Sequence, residues 1–189
     1  DLTYDELVST NYQLGAPFDW FHHERIIGFE ELIDTLQQRD EFPLLHLDIR
    51  NWNECLNPEE NGKFEARVAR TLIAFLQFKK VPEDKVLLIS LSRTFLDHFK
   101  EYGNPYRVSF EIVGREVEFL QWAIDYGVES VTIKPRLLTK KLSKTAHEAG
   151  LKVITFGAKS KSGNRKLLEL NPDVIQTDNI PALKDLMGY

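Results

Sequence analysis

Several common sequence features are scarce or missing from this chain of 189 residues, and each scarcity excludes a class of protein. The single cysteine, Cys55, excludes an internal disulfide and a metal cage built from cysteines. The longest apolar runs are much shorter than the roughly 20 residues that cross a bilayer, so no transmembrane segment is predicted. The net charge of −5 is mild and the basic residues are scattered, so nucleic acid is not an expected partner.

The compartment stays open between the cytoplasm and export. Proteins of either place can lack disulfides. The chain begins at Asp1 without an initiator methionine or a signal-like segment, so we expect any targeting region to lie outside these residues.

What the sequence does contain is a regular alternation of helical and extended patterns. A hydrophobic content of 42% without a compositional break predicts one domain over residues 1–189. Thr3 and Glu6 have the spacing of a capping box, which predicts a short helix, and a second helical pattern ends before Pro43. Six extended segments follow, separated by helical patterns and without hairpin turns. The predicted strands are 44–50, 86–91, 107–112, 130–134, 152–156 and 173–176.

Strands that are separated by helices pair in parallel through right-handed crossovers. Two architectures use this pattern: an open doubly wound sheet, for which six strands suffice, and a TIM barrel, which needs eight. The dinucleotide-binding form of the open sheet is disfavoured because no strand is followed by G-x-G-x-x-G. The glycine-containing segment 160–164 is predicted to be an ordinary flexible connection. The helix after the first strand is predicted from 64 to 78, and its apolar face consists of Phe64, Val68, Leu72, Phe75 and Leu76.

The first of these strands, LLHLDIR (44–50), carries ionisable side chains at its C-terminal end. Because successive side chains point to opposite faces, His46, Asp48 and Arg50 share one face. Both parallel architectures have their active sites at this end of the strands. The alternative is a half-exposed strand whose polar face meets water. The other residues at or near the strand ends are Ser90, Ser92, Glu111, Lys134, Phe156, Thr177 and Asp178.

A carboxylate and two cations at one rim suit a phosphate ester bound together with a hard divalent ion. We expect Asp48 to ligate calcium or magnesium, and Arg50 and Lys134 to hold the phosphate. A second acid and a proton shuttle are missing from this pattern. Glu111 fits a carboxylate that faces solvent equally well.

The histidines are not expected to supply the missing proton shuttle. His46 is predicted to be a hydrogen-bonded interior residue. His22 and His23 are adjacent on an irregular segment, where their side chains diverge, so both are predicted to lie in a surface loop.

Five segments resemble motifs of one enzyme family and follow the same order. They are DLTYDEL, LHLDIR, LLISLS, TAHEAGLKVITFG and PDVIQTDNIPAL. They resemble the family's T-x-x-E-L, L-x-I-E-I-K, S-S-F, A-H-x-x-G-L-x-V-x-x-W-T-V-N and G-V-D-G-I-I-T-D-x-P segments. The chain resembles the C-terminal three quarters of a glycerophosphodiester phosphodiesterase, a TIM-barrel enzyme of the phosphatidylinositol phospholipase C-like superfamily.

The resemblance implies roles for three residues. Asp48 stands where the family has a metal-binding glutamate, and Arg50 where it has a phosphate-contacting lysine. Phe156 replaces a tryptophan and would form an apolar wall for the glycerol or the head group. The resemblance also implies that the six strands are strands three to eight of an incomplete barrel. Strands one and two, which carry the family's catalytic histidines and its E-x-D metal carboxylates, have no counterpart here, so this chain alone is expected to be inactive.

An arc of six barrel strands would have two open edges and an apolar lumen. We therefore expect the first two strands to exist outside these residues, or a second chain to complete the arc. The function implied for the intact protein is metal-dependent hydrolysis of glycerophosphodiesters to an alcohol and glycerol 3-phosphate. The alternative is a catalytically degenerate barrel that acts as a binding or scaffold domain. A phospholipase D of the sphingomyelinase kind shares the fold, but its pattern fits the T-D-x-x-P ending less well.

Overall fold

The structure, a computed structural model, describes residues 3–12, 24–50 and 52–189. The chain divides into two compact units, residues 1–43 and 44–189. The prediction of a single domain over 1–189 stays a prediction.

The first unit contains two helices and a short antiparallel ribbon. The predicted capping box is present, because the Thr3 hydroxyl accepts from the Glu6 amide and the Glu6 carboxylate accepts from the Thr3 amide. The ribbon was not predicted, since each of its strands has only two residues. His22 and His23 lie outside the described residues. The elements are α1 (Tyr4–Ser9), β1 (Asn11–Tyr12), β2 (Glu24–Arg25) and α2 (Phe29–Gln37).

The second unit alternates strands and helices throughout. Gly127 ends one of these helices with a φ of +82°, the left-handed conformation that a glycine stop adopts. The elements are β3 (Leu45–Asp48), α3 (Pro58–Phe78), β4 (Val86–Ser90), α4 (Arg93–Glu101), β5 (Arg107–Ile112), α5 (Glu116–Tyr126), β6 (Ser130–Ile133), α6 (Lys140–Glu148), β7 (Lys152–Ala158), α7 (Lys161–Leu168), β8 (Val174–Thr177) and α8 (Ile180–Met187). None of the helices among the described residues is long and apolar enough to cross a bilayer.

The strand order decides between the two predicted architectures. All six strands, β3 to β8, pair in parallel in the order in which they occur in the chain. A doubly wound sheet reverses its order at a switch point, and no reversal occurs along these six strands. The sheet is therefore of the barrel type, and the open doubly wound alternative is excluded.

The sheet is also strongly curved. Gln176 on the last strand donates a hydrogen bond to His46 on the first strand, with 3.0 Å between Nε2 and Nδ1. In a flat sheet these strands would be about 24 Å apart, at about 4.8 Å for each of five spacings. Leu87, Ile89 and Ile154 pack together inside the curve, in contact with Val174. The six strands thus form an incomplete TIM-type barrel with a partly filled lumen, as predicted.

Helix α3 differs from its prediction in two ways. It begins already at Pro58, because Asn57 and Glu60 form a capping box that precedes the apolar pattern. Only one member of the predicted apolar face, Leu76, is fully buried, and the others, Phe64, Val68, Leu72 and Phe75, are half-buried. The buried residues are Asn61, Glu65, Ala69, Ile73 and Leu76. The centre of the buried face therefore includes two polar residues that the apolar pattern conceals.

The segment 160–164 was predicted wrongly as a flexible connection. It forms the start of α7, where the Ser160 hydroxyl accepts a hydrogen bond from the Gly163 amide at 3.1 Å. A serine cap supplies one of the acceptors that a helix start needs. This cap outweighs the weak helix preference of the glycine.

Candidate functional site at the carboxyl ends of the strands

A small cavity of about 60 Å³ lies inside the carboxyl ends of the strands, and we call it the mouth cavity. Each of the six strands contributes one side chain to it, and Arg50 adds another just after β3. The strand register explains this convergence, since Asp48 pairs with Ile89 and Phe156 pairs with Gln176 on adjacent strands. The lining residues are Asp48, Arg50, Ile89, Glu111, Thr132, Phe156 and Gln176.

The Arg50 guanidinium contacts two carboxylates, those of Asp48 and Glu111, and these three residues are called the Arg50 cluster. Nη2 of Arg50 donates to Oδ2 of Asp48 at 3.1 Å, and Nη1 of Arg50 lies 2.6 Å from Oε2 of Glu111. Asp48 and Arg50 are half exposed, whereas the Glu111 side chain is only 3% exposed. The hydrogen bond with Glu111, together with the charges of both acids, raises the pKa of the Arg50 guanidinium. The guanidinium thereby neutralises a carboxylate that would otherwise be buried without a counter-ion.

The structure brings together three of the four residues predicted for the site. Asp48, Arg50 and Phe156 all line the mouth cavity. Lys134 follows β6 and is half-buried, but it is not among the residues that line this cavity. The roles assigned to all four stay predictions.

Glu111 was interpreted as either a rim residue or a carboxylate that faces solvent, and the second interpretation is wrong. It is buried in the mouth cavity as the second acid that the sequence pattern lacked. The alternation of side chains along β5 could have predicted this position, because Arg107, Ser109 and Glu111 share one face of the strand. That face is the inner one, as the bond of 2.9 Å between the hydroxyls of Ser109 and Thr132 also indicates.

Deeper in the lumen, His46 is the hydrogen-bonded interior histidine that the sequence predicted. Its Nδ1 accepts from Gln176, so the proton of the neutral ring is on Nε2. Burial, followed by the positive charge of Arg107, lowers the pKa of His46. The lumen is therefore partly polar, although an apolar one was expected.

The mouth cavity contains two carboxylates but, within the part of the chain that the structure describes, no assembled metal-binding group. Among residues 3–12, 24–50 and 52–189, no group of three histidine, cysteine or acidic side chains is close enough to hold a metal ion. Asp48 and Glu111 nevertheless supply carboxylate oxygens on both sides of Arg50, and calcium and magnesium prefer such oxygens. These residues fit one side of the coordination sphere of a hard divalent ion.

A second cavity, of about 490 Å³, adjoins the first at Arg50 and is called the side cavity. Asn61 ties the segment before α3 to this helix, because its Nδ2 donates to the Asn53 and Leu56 carbonyls at 3.0 and 2.9 Å. Its Oδ1 accepts from the Asn53 amide at 3.0 Å. The residues that line the side cavity are Ile49, Arg50, Trp52, Pro58, Asn61, Gly62, Glu65, Leu91, Ser92 and Thr94.

Comparison with known proteins gives matches in structure alone. No family model matches the chain, and no curated protein sequence matches it. A protein from Galdieria sulphuraria assigned as a glycerophosphodiester phosphodiesterase is 20% identical with a TM-score of 0.77; the match covers 100% of this chain and 71% of that one. A glycerophosphodiester phosphodiesterase from Parabacteroides distasonis ATCC 8503 is 12% identical with a TM-score of 0.77, again covering 100% and 71%.

A third structure was solved with a ligand. It is a phosphodiesterase from Oleispira antarctica in complex with the product sn-glycerol-3-phosphate, 14% identical with a TM-score of 0.60. That match covers 69% of this chain and 57% of the Oleispira chain. At these identities the likeness establishes the fold. The chain has the fold of the glycerophosphodiester phosphodiesterases that its sequence resembles, so the resemblance is confirmed at that level.

Proposed function

We propose that the intact protein hydrolyses glycerophosphodiesters to an alcohol and glycerol 3-phosphate with the aid of a divalent cation. The Arg50 cluster, which lies at the carboxyl ends of an arc of barrel strands, is the observation that carries this proposal. The matched fold supports it, because the neighbours are glycerophosphodiester phosphodiesterases and one was solved with sn-glycerol-3-phosphate.

The charge of the cluster is the reason to include a cation. Two carboxylates flank one guanidinium, so the site carries an excess of negative charge that repels a phosphodiester. A calcium or magnesium ion held by Asp48 would reverse that sign and would polarise the phosphoryl oxygens. Asp48 ligates the ion in this proposal, and Glu111 either joins it or keeps the guanidinium oriented.

The remaining predicted residues contact the substrate. Arg50 turns one edge of its guanidinium toward the phosphate, whose oxygens suit its forked geometry. Lys134 adds a second positive charge from the end of β6, and Phe156 forms an apolar wall of the mouth cavity beside the glycerol. These contacts orient the diester and leave the proton transfers to other groups.

The general acid and base come from further strands in this proposal. Within the described part of the chain, no strand pairs with the outer edge of β3 or of β8. Such edges have unpaired backbone groups that favour strand addition. Two strands from outside residues 1–189, or from a second chain, would close the barrel and bring the proton-transfer groups to the mouth cavity.

The test is a hydrolysis assay with the intact protein and glycerophosphocholine. We expect release of glycerol 3-phosphate that depends on calcium or magnesium, and no release by residues 1–189 alone. Arg50→Gln should lower kcat/KM by about 100-fold, whereas Arg136→Gln, which changes an exposed arginine after β6, should have little effect. Absence of metal-dependent release by the intact protein would overturn the proposal.

A catalytically inactive binding domain is the second candidate. Both terminal nitrogens of the Arg50 guanidinium already contact acids of the same chain, an arrangement that stabilises a fold without any substrate. Binding of glycerol 3-phosphate without turnover of any diester by the intact protein would favour this candidate.

A further inference from the structure

Basic residues that are scattered along the sequence collect at the end of the second unit where its strands finish. In a parallel sheet, the segments that follow the strands lie at one edge and the segments that precede them lie at the other. The connecting segments after β3 to β8 contain the bases Arg50, Arg115, Lys134, Arg136 and Lys159 and the acids Glu54 and Asp178. The segments that lead from α3 to α7 back to the next strand contain Lys79, Lys80 and Lys85 but also Glu83, Asp84, Glu129, Glu169 and Asp173. Bases therefore exceed acids at the carboxyl ends of the strands, although the net charge of the chain is −5.

The first turns of three helices add further cations at this edge. Arg93, Lys140 and Lys161 are the first residues of α4, α6 and α7, and these described first turns contain no acid. A helix start carries partial positive charge, so a cation there opposes the helix dipole and lowers stability. Helix stability does not explain these cations, whereas a negatively charged partner would be attracted by the side chains and the helix starts together.

Exposed apolar side chains lie at the same edge. Leu91 follows β4, Val113 follows β5, and Val117 is in the first turn of α5. They are 45%, 38% and 74% exposed. The opposite edge also exposes apolar side chains, Phe78 among them, but its connecting segments carry an excess of acids. Only the carboxyl edge of the described sheet combines exposed apolar groups with an excess of bases.

Two sets of contacts show that these segments form one continuous surface. Arg93 and Arg115 both lie over the ring of Phe119, 5.2 and 5.5 Å from its centroid, so the starts of α4 and α5 are close together. Val117 and Lys141 line one cavity of about 210 Å³ between α5 and α6. The docking face is the name used for the surface formed by Leu91, Val113, Val117, Arg136, Lys140 and Lys141.

We propose that the docking face binds the surface of a membrane that contains anionic lipids. Arg136, Lys140 and Lys141 are exposed and form no ion pair within the part of the chain that the structure describes, so their charges are available to lipid phosphates. Each such cation strengthens binding to an anionic surface by about fivefold. The apolar side chains between them would enter the boundary between head groups and acyl chains. This inference does not depend on the proposed function, because membrane binding is measured without turnover.

The aliphatic members of the docking face favour a membrane over a nucleic acid. Phosphate contacts and base stacking attach a nucleic acid, and the side chains of Leu91, Val113 and Val117 supply neither. A bilayer offers phosphates to the cations and apolar depth to these three residues at once. Electrostatic attraction of small anions alone would need the cations but not the exposed aliphatic groups.

The direct test is co-sedimentation of the intact protein with vesicles. We expect binding to vesicles of phosphatidylcholine with about one third phosphatidylglycerol, binding at least about tenfold weaker to pure phosphatidylcholine, and weakening by salt. Replacing Lys140 and Lys141 by glutamine together should weaken binding about 20-fold. The matched control replaces Arg165 and Lys166 by glutamine, because these exposed neighbours are in the last turn of α7, at the opposite edge.

The apolar contribution is tested at Val117, where a gain of binding is also expected. Val117→Ser should weaken binding to the anionic vesicles about fivefold, and Val117→Trp should strengthen it about tenfold, because tryptophan prefers the membrane interface. The gain in Val117→Trp keeps the test decisive if the lysine variant does not fold. Phe78→Ser, which removes an exposed apolar group at the opposite edge, should leave binding unchanged.

Three outcomes would overturn the docking proposal. They are absence of binding to the anionic vesicles, equal weakening by the two double variants, and binding of a DNA duplex as tight as that of the vesicles. If the intact protein hydrolyses glycerophosphodiesters but does not bind the vesicles, the docking proposal fails and the proposed function stands. If it binds them through the docking face but hydrolyses no diester, the proposed function fails and the docking proposal stands.

Discussion

Nη1 of Arg50 lies 2.6 Å from Oε2 of Glu111, and this contact joins the half-exposed end of one strand to a carboxylate inside the barrel arc. Arg50 follows β3 and Glu111 belongs to β5, and these two strands are not neighbours but flank β4. The ion pair therefore links the end of β3 to β5 across β4 and holds the guanidinium in position.

Replacing Arg50 should destabilise the fold through the acid that it leaves behind. We expect Arg50→Gln to lower the free energy of unfolding by about 1–3 kcal/mol, because Glu111 becomes a buried charge without a partner. The double variant Arg50→Gln, Glu111→Gln should recover part of this loss. Urea denaturation measures both, with Arg136→Gln as the control. A double variant as unstable as the sum of the single variants would contradict this account.

The stability of the fold should fall at mildly acidic pH because of His46. Burial lowers its pKa in the folded state below the ordinary value of 6.5, so the unfolded chain binds more protons in this range and stability rises with pH. The free energy of unfolding should therefore decrease as pH falls below about 6.5. His46→Asn should reduce this slope in denaturation curves measured between pH 7 and pH 5. An unchanged slope would show that other groups cause the loss.

A divalent cation should stabilise the protein only if Asp48 is intact. Calcium or magnesium at ten times its dissociation constant should add about 1.4 kcal/mol to the free energy of unfolding. We expect Asp48→Asn to abolish this increase in thermal denaturation. Asp125→Asn, an exposed acid of α5, should retain it. Equal stabilisation of both variants by the cation would indicate a site elsewhere.

Neutralising Glu65 should make the protein more stable. Because Glu65 is only 6% exposed and forms no ion pair among the described residues, we expect Glu65→Gln to raise the free energy of unfolding by about 1 kcal/mol. Glu59→Gln should lower it by about 0.3 kcal/mol, since it loses the contact of 2.6 Å with Lys63 one turn away. Destabilisation by Glu65→Gln would mean that the charged form is favoured in the folded protein.

Sequence patterns predicted the alternation of strands and helices, the cap at Thr3, and three residues of the mouth cavity. They could not predict the environment of Glu111, because alternation assigns a side chain to one face of a strand but does not say whether curvature encloses that face. Glu65 was missed for a related reason. It lies at the centre of the buried face of α3, next to larger apolar residues that dominate the helical period.

For Lys134 the sequence pattern predicted a place in the site that the structure does not give it. It follows β6 on the face shared with Thr132, which lines the mouth cavity, yet Lys134 does not line it. A chain pattern gives the order of residues along a strand, but the distance from the strand end to a cavity depends on the loop that follows. That loop bends at once, with the Leu137 amide donating to the Lys134 carbonyl at 2.9 Å.

Because His46 and Gln176 form a hydrogen bond, the NMR signals of the His46 ring should report the distance between the first and last strands of the sheet. This hydrogen bond links the first and last strands of the sheet across the interior. Insertion, removal or displacement of a neighbouring strand that widened the arc would separate the two side chains. The ring signals of His46 in an NMR spectrum would then shift toward those of a hydrated histidine, and closure of the cylinder could be followed in solution from a single residue.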